Sequence, residues 1–124
     1  MSVVERCEQA RGEAVFVCDF SPPRGSDPTL LSGASDLNAD FISVAYNPVK
    51  SPRVNPIAAA HWIGQNTGQD VLFTVSTRDM NRMAMQGMLL GADLMGLENV
   101  VVVKGDPYRE RELEWAVPVD DYTP

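Results

Sequence analysis

The sequence alternates short apolar runs with longer segments of helical periodicity, a pattern that constrains the fold more than any other feature. Strands that alternate with helices pair in parallel through right-handed crossovers. We therefore predict an α/β fold of parallel (β/α) units, with four strands and about three helices. The predicted strands are Ala14 to Cys18, Phe41 to Tyr46, Val71 to Val75 and Asn99 to Val103.

Capping residues between these strands predict where the first two helices begin. Asp27 precedes Pro28, and aspartate caps a helix N-terminus while proline is favoured at the first helical position. Asn55 and Pro56 repeat the same pair and predict a second helix that ends before Gly68.

The third and longest predicted helix spans residues 76–97, with Thr77 or Asp79 as its cap. Gly96 or Asn99 marks its end. One face carries the apolar and small residues that an amphipathic helix turns to the core. These residues are Met83, Gly87, Leu90, Gly91 and Leu94.

The fourth strand ends abruptly, because the valines of residues 100–103 are followed at once by Lys104, Gly105 and Asp106. A continuous apolar run is typical of a parallel strand that is buried on both faces. All strands of a parallel sheet point the same way, so the residues that follow them gather at one end, where α/β folds hold their sites. We therefore expect one polar surface at the carboxyl ends of the four strands.

Several residues expected on that surface could bind a ligand or transfer a proton. Asp19 ends the first apolar run, where burial tends to raise the pKa of a carboxyl group and make it a proton donor. Gly105 lets a flat ligand approach the backbone. Arg53 and Arg78 can meet an anionic group. Three hydroxyl groups lie at the end of the third strand, on Thr74, Ser76 and Thr77.

Structural alternatives exist for two of these features. Asp19 can simply cap the turn made by Ser21 and the two prolines, and Gly-Asp-Pro is a common turn tripeptide. Neither a phosphate-binding glycine loop of the Walker type nor a G-x-G-x-x-G sequence follows a strand, which disfavours a nucleotide bound in the Rossmann manner.

Composition narrows the classes of partner. The chain has 124 residues and a net charge of −7, so it repels nucleic acid and anionic lipid. No apolar stretch approaches the roughly 20 residues that cross a bilayer, and the N-terminus lacks a secretory signal. With two separated cysteines and one histidine, a zinc site is not expected. We expect a cytoplasmic protein that binds neither nucleic acid nor membrane.

Three motifs occur in an order and spacing that resemble the methylenetetrahydrofolate reductase family. They are "CDFSPPRGSDP", "DFISVAYNPVKSPRVNP" and "TVSTRDMNRMAMQGMLLGADLMGLENVVVVKGDP", and together they cover roughly residues 14–107. The sequence is most similar to the branch fused to homocysteine methyltransferase modules and to its stand-alone bacterial relatives. The resemblance implies a flavoprotein built on a (β/α)8 TIM barrel.

The same resemblance implies an activity, a cofactor and a set of partners. The expected reaction is the reduction of 5,10-methylenetetrahydrofolate to 5-methyltetrahydrofolate, in one-carbon metabolism and methionine biosynthesis. FAD is the implied cofactor, and NAD(P)H or another reduced donor supplies its electrons. Asp19 takes the position of the family's proton donor to the folate, and Asp106 also faces the folate. The residues implied to contact FAD are Ala45, Tyr46, Thr74, Ser76, Lys104, Gly105 and Asp106.

Four of these positions depart from the family's usual residues. Asp19 replaces a glutamate that is one methylene longer, and Lys104 replaces an arginine and so loses the bidentate fork. Ala45 stands where the best-known form has threonine, and Thr74 stands where it has histidine. These departures motivate a second hypothesis, a non-catalytic half-barrel subunit or remnant that binds folate or a partner chain.

Length adds a further expectation, because a closed eight-stranded barrel takes about 250 residues. We expect residues 1–124 to be a single incomplete barrel domain, the N-terminal half of a longer enzyme. Residues 108–124 are then an acidic tail or a loop that leads to a fourth helix outside this sequence. The alternatives are a natural half-barrel that pairs with itself or with a complementing chain, and a small open-sheet domain that has kept the motifs. A third functional hypothesis is a small α/β binding protein unrelated to folate.

Overall fold

A computed structural model describes all residues from Met1 to Pro124. Its strands are β1 (Val17–Phe20), β2 (Phe41–Val44), β3 (Val71–Ser76) and β4 (Val100–Val103). Its α-helices are α1 (Val3–Ala10), α2 (Pro56–Thr67) and α3 (Arg82–Leu94). Two 3-10 helices, Pro28–Asp36 and Pro48–Lys50, complete the regular structure.

The four strands form one parallel sheet in the order β1-β2-β3-β4, which confirms the predicted α/β class. Register places Asp19 opposite Ser43, and Thr74 opposite Val101. Consecutive neighbours joined by helical connections are the arrangement of successive (β/α) units.

The main core lies between one face of the sheet and the helices that cross it. Side chains that alternate along β2 and β3 point into it, as the period of two in a strand requires. The core combines them with α2, α3 and the first 3-10 helix, through Ile42, Val44, Phe73, Val75, Ala59, Ile63, Leu31, Ala34, Met85 and Ala92. The opposite sheet face, which carries Asp19, Ser43, Thr74 and Ser76, is the inner face of the partial barrel.

Strand β4 corrects one prediction, because its valines are not buried. Each is between 36% and 45% exposed, from Val103 to Val102. β4 is an edge strand that pairs only with β3, so its other edge is free. Its two faces are also less covered than those of the strands in the middle of the sheet. The apolar run therefore identified a strand correctly but not its burial.

Helix α1 is an element that the sequence analysis missed. Ser2 and Glu5 form a capping box, in which the Ser2 hydroxyl accepts a hydrogen bond from the Glu5 backbone and the Glu5 carboxylate accepts one from the Ser2 backbone. Contacts tie the helix to residues that directly precede three strands. Arg6 pairs with Asp40, the Val3 amide donates to Asn99, and the terminal amine of Met1 pairs with Asp70. The helix therefore lies across the amino end of the sheet.

The first two predicted helix starts are confirmed. Asp27 accepts a hydrogen bond from the Thr29 amide, and Asn55 accepts one from the Ile57 amide. α2 ends at Gly68, whose φ of 71° lies in the left-handed region that favours glycine. The segment after Asp27 forms a 3-10 helix because hydroxyl groups, such as that of Ser32, bond to carbonyls three residues back.

Helix α3 differs from its prediction in two ways. It begins at Arg82, capped by Asn81, because Thr77 and Asp79 belong to the loop that precedes it. Its buried face carries Met85 and Ala92. The stripe predicted to pack on the core is mainly exposed, with the Met83 side chain 80% and the Leu94 side chain 89% accessible. The sequence offers two apolar faces on this helix, and the one that packs on the core carries Met85, Met88 and Ala92.

All four strands differ from their predicted bounds by one or more residues, and β4 begins at Val100 instead of Asn99. β1 runs from Val17 to Phe20 instead of Ala14 to Cys18, so Asp19 lies within the strand and not after it. β2 ends at Val44, which leaves Ala45 and Tyr46 in the following loop. β3 extends to Ser76.

Residues after β4 return along the carboxyl end of the sheet. A hydrogen-bonded turn covers residues 110–115. The Val119 amide then donates to the Arg78 carbonyl, at 2.7 Å. The Asp121 carboxylate accepts a hydrogen bond from the Arg82 amide, at 3.0 Å, and so adds a second cap to α3. The polypeptide after β4 is thus packed against the start of α3.

Candidate functional site

A cleft of about 330 Å³ opens at the carboxyl ends of β2, β3 and β4. Its volume lies within the range of small-molecule sites. Its walls are the loop after β2, the end of β3 and the loop after β4, through Tyr46, Asn47, Pro48, Val49, Lys50, Ser76, Arg78, Val103, Gly105 and Asp106. Five residues singled out from the sequence therefore line one cleft: Tyr46, Ser76, Arg78, Gly105 and Asp106.

Position 105 requires glycine, both for its backbone conformation and for its packing. Its φ of 86° is a conformation that side chains disfavour, and a Cβ atom there would lie 2.6 Å from the Ser76 Oγ atom. The Ser76 hydroxyl donates to the Lys104 carbonyl at 3.1 Å. The loop after β4 therefore packs directly on the end of β3. The Lys104 side chain is exposed, so this residue contributes its backbone to the arrangement.

Ala45 and Thr74 lie beside the cleft without lining it. The Ala45 amide donates to the Phe20 carbonyl at 3.0 Å, which continues the β1–β2 pairing by one residue. Thr74 is half-buried on the inner face, opposite Val101.

Asp19 is separated from the cleft by the width of β2 and lies on the inner face of an edge strand. It is exposed, so the burial that the sequence suggested for this carboxyl group is absent. The hydrogen bonds around the Pro-Pro turn run from Arg53 to the Pro22 carbonyl and from Val54 to the Pro23 carbonyl, and none involves the Asp19 carboxylate, so the alternative prediction of a turn cap is wrong. The structure places Asp19 on the same surface as the cleft but not in contact with it.

Arg78 is the centre of a buried cluster that the sequence analysis did not recognise. It was predicted to meet an anionic ligand, but Asp79 already occupies its guanidinium with two hydrogen bonds of 2.8 Å. The ring of Tyr108 lies 4.2 Å from the guanidinium carbon, and the Tyr108 hydroxyl donates to the Asp79 carboxylate. Arg53 likewise bonds a protein group, the Pro22 carbonyl, at 2.9 Å.

The pKa values in this cluster follow from burial and from the Asp79 charge. Burial opposes the ionisation of Asp79, but hydrogen bonds from Arg78 and Tyr108 and the Arg78 charge outweigh it and hold its pKa below the usual range. Hydrogen bonding to Asp79 raises the pKa of Arg78. Burial and the same carboxylate raise the pKa values of Tyr46 and Tyr108. Arginine and aspartate are therefore charged and both phenols neutral across the physiological range.

A second ion-pair cluster holds the other wall of the cleft. Lys50 donates to the Pro107 carbonyl at 3.2 Å and pairs with Glu112 at 2.9 Å. Hydrogen bonds from Arg109 and then from Lys50 lower the pKa of Glu112 to about 2. Val49 and Lys50 both have positive φ, at 54° and 56°, a conformation that is costly for a β-branched residue. The sequence Pro48-Val49-Lys50 gives no indication of this strained backbone.

Another cleft, of about 260 Å³, lies at the amino end of the sheet. The ion pair between the Met1 amine and Asp70 forms part of its lining, and His61 stands beside it on α2. Sites of parallel α/β folds lie at the opposite end. The carboxyl-end cleft is therefore the candidate functional site.

A protein-family comparison tests the family resemblance that the order of the motifs suggested. The model of the family described as methylenetetrahydrofolate reductase matches residues 4–123, nearly the whole chain. The chain belongs to the methylenetetrahydrofolate reductase family. A search of curated proteins found no match. The four parallel strands are consistent with a partial (β/α) barrel of this family.

Family membership indicates a methylenetetrahydrofolate reductase-like oxidoreductase domain whose substrate is a folate. The match extends beyond the motifs that suggested it, since it begins in α1 and ends in the segment after β4. No helix of the structure is long and apolar enough to cross a membrane.

Proposed function

We propose that the chain is the N-terminal part of a flavin-dependent enzyme that reduces 5,10-methylenetetrahydrofolate to 5-methyltetrahydrofolate. The observation that carries the proposal is the cleft at the ends of β2, β3 and β4, in a chain of this family. Its position matches the end of the sheet at which TIM-barrel enzymes act.

The lining of the cleft fits a flavin ring. Gly105 has no side chain, and the space that one would take is filled by Ser76 and Arg78, so this residue presents only its backbone to the cleft and can face a flat ligand. Tyr46 and Asp106 add a neutral phenol and a carboxylate to the walls. We assign FAD binding to this cleft, with Ala45, Thr74 and Lys104 as supporting neighbours.

The proposed reaction divides its tasks between cofactor and protein. A bound reduced flavin supplies the hydride. Asp19 delivers the proton to the folate nitrogen from its exposed position on the inner face of β1. Asp106 orients the folate from the cleft side. NAD(P)H or another reduced donor supplies the electrons, in a cytoplasmic pathway that leads to methionine.

Flavin titration tests the proposal directly. The purified protein is mixed with FAD and then reduced anaerobically, with absorbance followed throughout. We expect a yellow complex that bleaches on reduction and recovers its colour when methylenetetrahydrofolate is added. The assay is run on the longest reading frame that contains residues 1–124, obtained by sequencing the DNA beyond codon 124. A protein from that frame that stays colourless overturns the proposal.

The exposed edge of β4 favours a second candidate, a non-catalytic half-barrel. Its four valines are accessible on a strand whose outer edge is unpaired, and such edges bind other polypeptide segments. A homo-oligomer or a complementing chain would cover them. A stop codon directly after codon 124, together with a stable flavin-free complex with folate or with a second polypeptide, would select this candidate over the reductase.

A further inference from the structure

Arg78 connects the end of β3 to the loop after β4 at two points on either side of Gly105. Its backbone amide donates to the Lys104 carbonyl at 3.1 Å. Its Nη1 atom donates to the Asp106 carbonyl at 2.7 Å. Because these carbonyls flank Gly105, the one residue fixes the path of the backbone on both sides of it.

Asp79 in turn fixes the plane of the Arg78 guanidinium. The Nε and Nη2 atoms each donate to a separate oxygen of Asp79, at 2.8 Å, which is the bidentate geometry that arginine forms with carboxylates. The Nη1 atom is thereby directed to the Asp106 carbonyl. Tyr108 closes the arrangement, with its ring over the guanidinium and its hydroxyl on Asp79.

We propose that Arg78 and Asp79 are positioning residues, which hold the Gly105–Asp106 backbone in the shape that lines the cofactor cleft. The inference rests on the proposed function for its consequence in flavin binding, and on the hydrogen bonds alone for its structural part. Tyr108 supports the pair by keeping the guanidinium in place.

A role in stability alone is a poor account of this cluster. Buried ion pairs are often no more stabilising than apolar side chains of similar size, because both charges lose their hydration. In this cluster the hydrogen bonds of Arg78 hold the Asp106 carbonyl at the wall of the cleft. Arg78 is 6% exposed and itself lines the cleft, so the constraint acts where a ligand binds.

Two substitutions and one control test the inference. Asp79→Asn removes the charge that orients the guanidinium, and Arg78→Lys keeps the positive charge but loses the fork. Arg6→Gln is the control, because it breaks a comparable ion pair with Asp40 at the opposite end of the sheet. Tyr108→Phe is a milder variant that keeps the ring and loses only the hydroxyl, in case Asp79→Asn does not fold.

Amide hydrogen exchange in the absence of flavin gives the structural readout. We expect faster exchange at the Thr77 and Arg78 amides, which donate to the Val103 and Lys104 carbonyls, in Asp79→Asn and Arg78→Lys. A smaller increase is expected in Tyr108→Phe, and no local change in Arg6→Gln. Unchanged exchange at these two amides in the first two variants overturns the inference.

FAD affinity gives the functional readout on the same proteins. We expect the dissociation constant to rise by about 10- to 100-fold in Asp79→Asn and Arg78→Lys, the loss that removing an outer-shell partner causes at metal sites. Arg6→Gln retains the original affinity. Faster exchange with unaltered FAD affinity overturns the positioning role. Failure of the unsubstituted protein to bind FAD rejects the proposed function instead, while the exchange data still decide whether the pair fixes the loop.

Discussion

The two sides of the carboxyl-end surface are built differently. On the β3–β4 side, Arg78 and Asp79 hold the loop around Gly105 through several hydrogen bonds. On the β1 side, Asp19 is exposed and is held through its strand register with Ser43. The shape of the cleft is thus fixed by the chain itself, whereas the environment of the proposed acid depends on what binds next to it.

The largest expected effect on stability is at Gly105, on the densely bonded side. Gly105→Ala combines a left-handed backbone with a Cβ atom 2.6 Å from the Ser76 Oγ atom. We expect the free energy of unfolding to fall by about 2–5 kcal/mol, from the cost of the backbone conformation and of overpacking. Urea unfolding of the two proteins measures the difference.

Gly87→Ala is the matched control for that substitution. Gly87 lies inside α3, and a Cβ atom there meets nothing within 4 Å. Alanine should stabilise the helix by about 0.5–1 kcal/mol. If both alanine variants lose the same stability, the packing of Gly105 on β3 is not special, and the contrast between the two sides fails.

Glu112 sharpens the comparison through pH, because it ties the loop after β2 to the segment after β4. Its folded-state pKa of about 2 lies below the ordinary value of 4.5. A carboxyl group with a lowered pKa stabilises the folded state above its unfolded pKa. That contribution is lost as the pH falls through the folded pKa. Unfolding free energy should therefore decline between pH 4.5 and 2 more steeply than in Glu112→Gln.

Urea unfolding at a series of pH values checks this slope. Glu114→Gln is the control, since Glu114 is an exposed neighbour in the same turn. We expect Glu114→Gln to follow the unsubstituted protein and Glu112→Gln to show the flatter curve. Three parallel curves would mean that Lys50 and Arg109 do not hold Glu112 in solution.

Asn81 tests the junction between β3 and α3 with a smaller effect. Its side chain accepts a hydrogen bond from the Ala84 amide at 2.8 Å. Asn81→Ala should lower the free energy of unfolding by about 1 kcal/mol, the usual value of a helix cap. Asn81→Ser should recover most of it. No loss in the alanine variant would show that the Asp121 cap on the Arg82 amide is sufficient.

The sequence predicted the strands because apolar runs and caps are local signals. Asp27, Asn55 and Gly68 each act within a few residues of their position, and all three were placed correctly. The predicted burial of β4 was wrong because the exposure of a strand depends on which other parts of the molecule cover it, and local sequence does not show this. The start of α3 was missed because Asn81 caps it after the loop that Arg78 and Asp79 form. Its buried face was missed because two apolar faces are present in the sequence and tertiary packing decides between them.

The position of the candidate site could be predicted from the sequence, but the hydrogen bonds and ion pairs around it could not. Strand ends and motif order located Tyr46, Ser76, Gly105 and Asp106, which the structure brings to one cleft. The pairing of Arg78 with its neighbour Asp79 could have been suspected from adjacency alone. The contribution of Tyr108, and the bond from Lys50 to Glu112, join residues far apart in the chain and appear only in three dimensions.

Asp19 carries the smallest expected effect on stability and the most selective effect on turnover. Because its side chain is exposed, Asp19→Asn should change the free energy of unfolding by no more than about 0.5 kcal/mol. FAD affinity should be unchanged, since the cleft lies beyond β2. Recovery of flavin colour with methylenetetrahydrofolate should slow by about 10²- to 10⁴-fold, the usual contribution of a general acid.

Stopped-flow absorbance separates the two half-reactions in this variant. Reduction of the flavin by its donor should proceed at the original rate, and only the oxidation by the folate should slow. Asp36→Asn, at an exposed position in the first 3-10 helix, is the control and should leave both steps unchanged. Equal slowing of both steps in Asp19→Asn would place this carboxylate in flavin binding. The β3–β4 side and the β1 side of the surface would then both serve flavin binding. Their difference in structure would not separate cofactor binding from proton transfer.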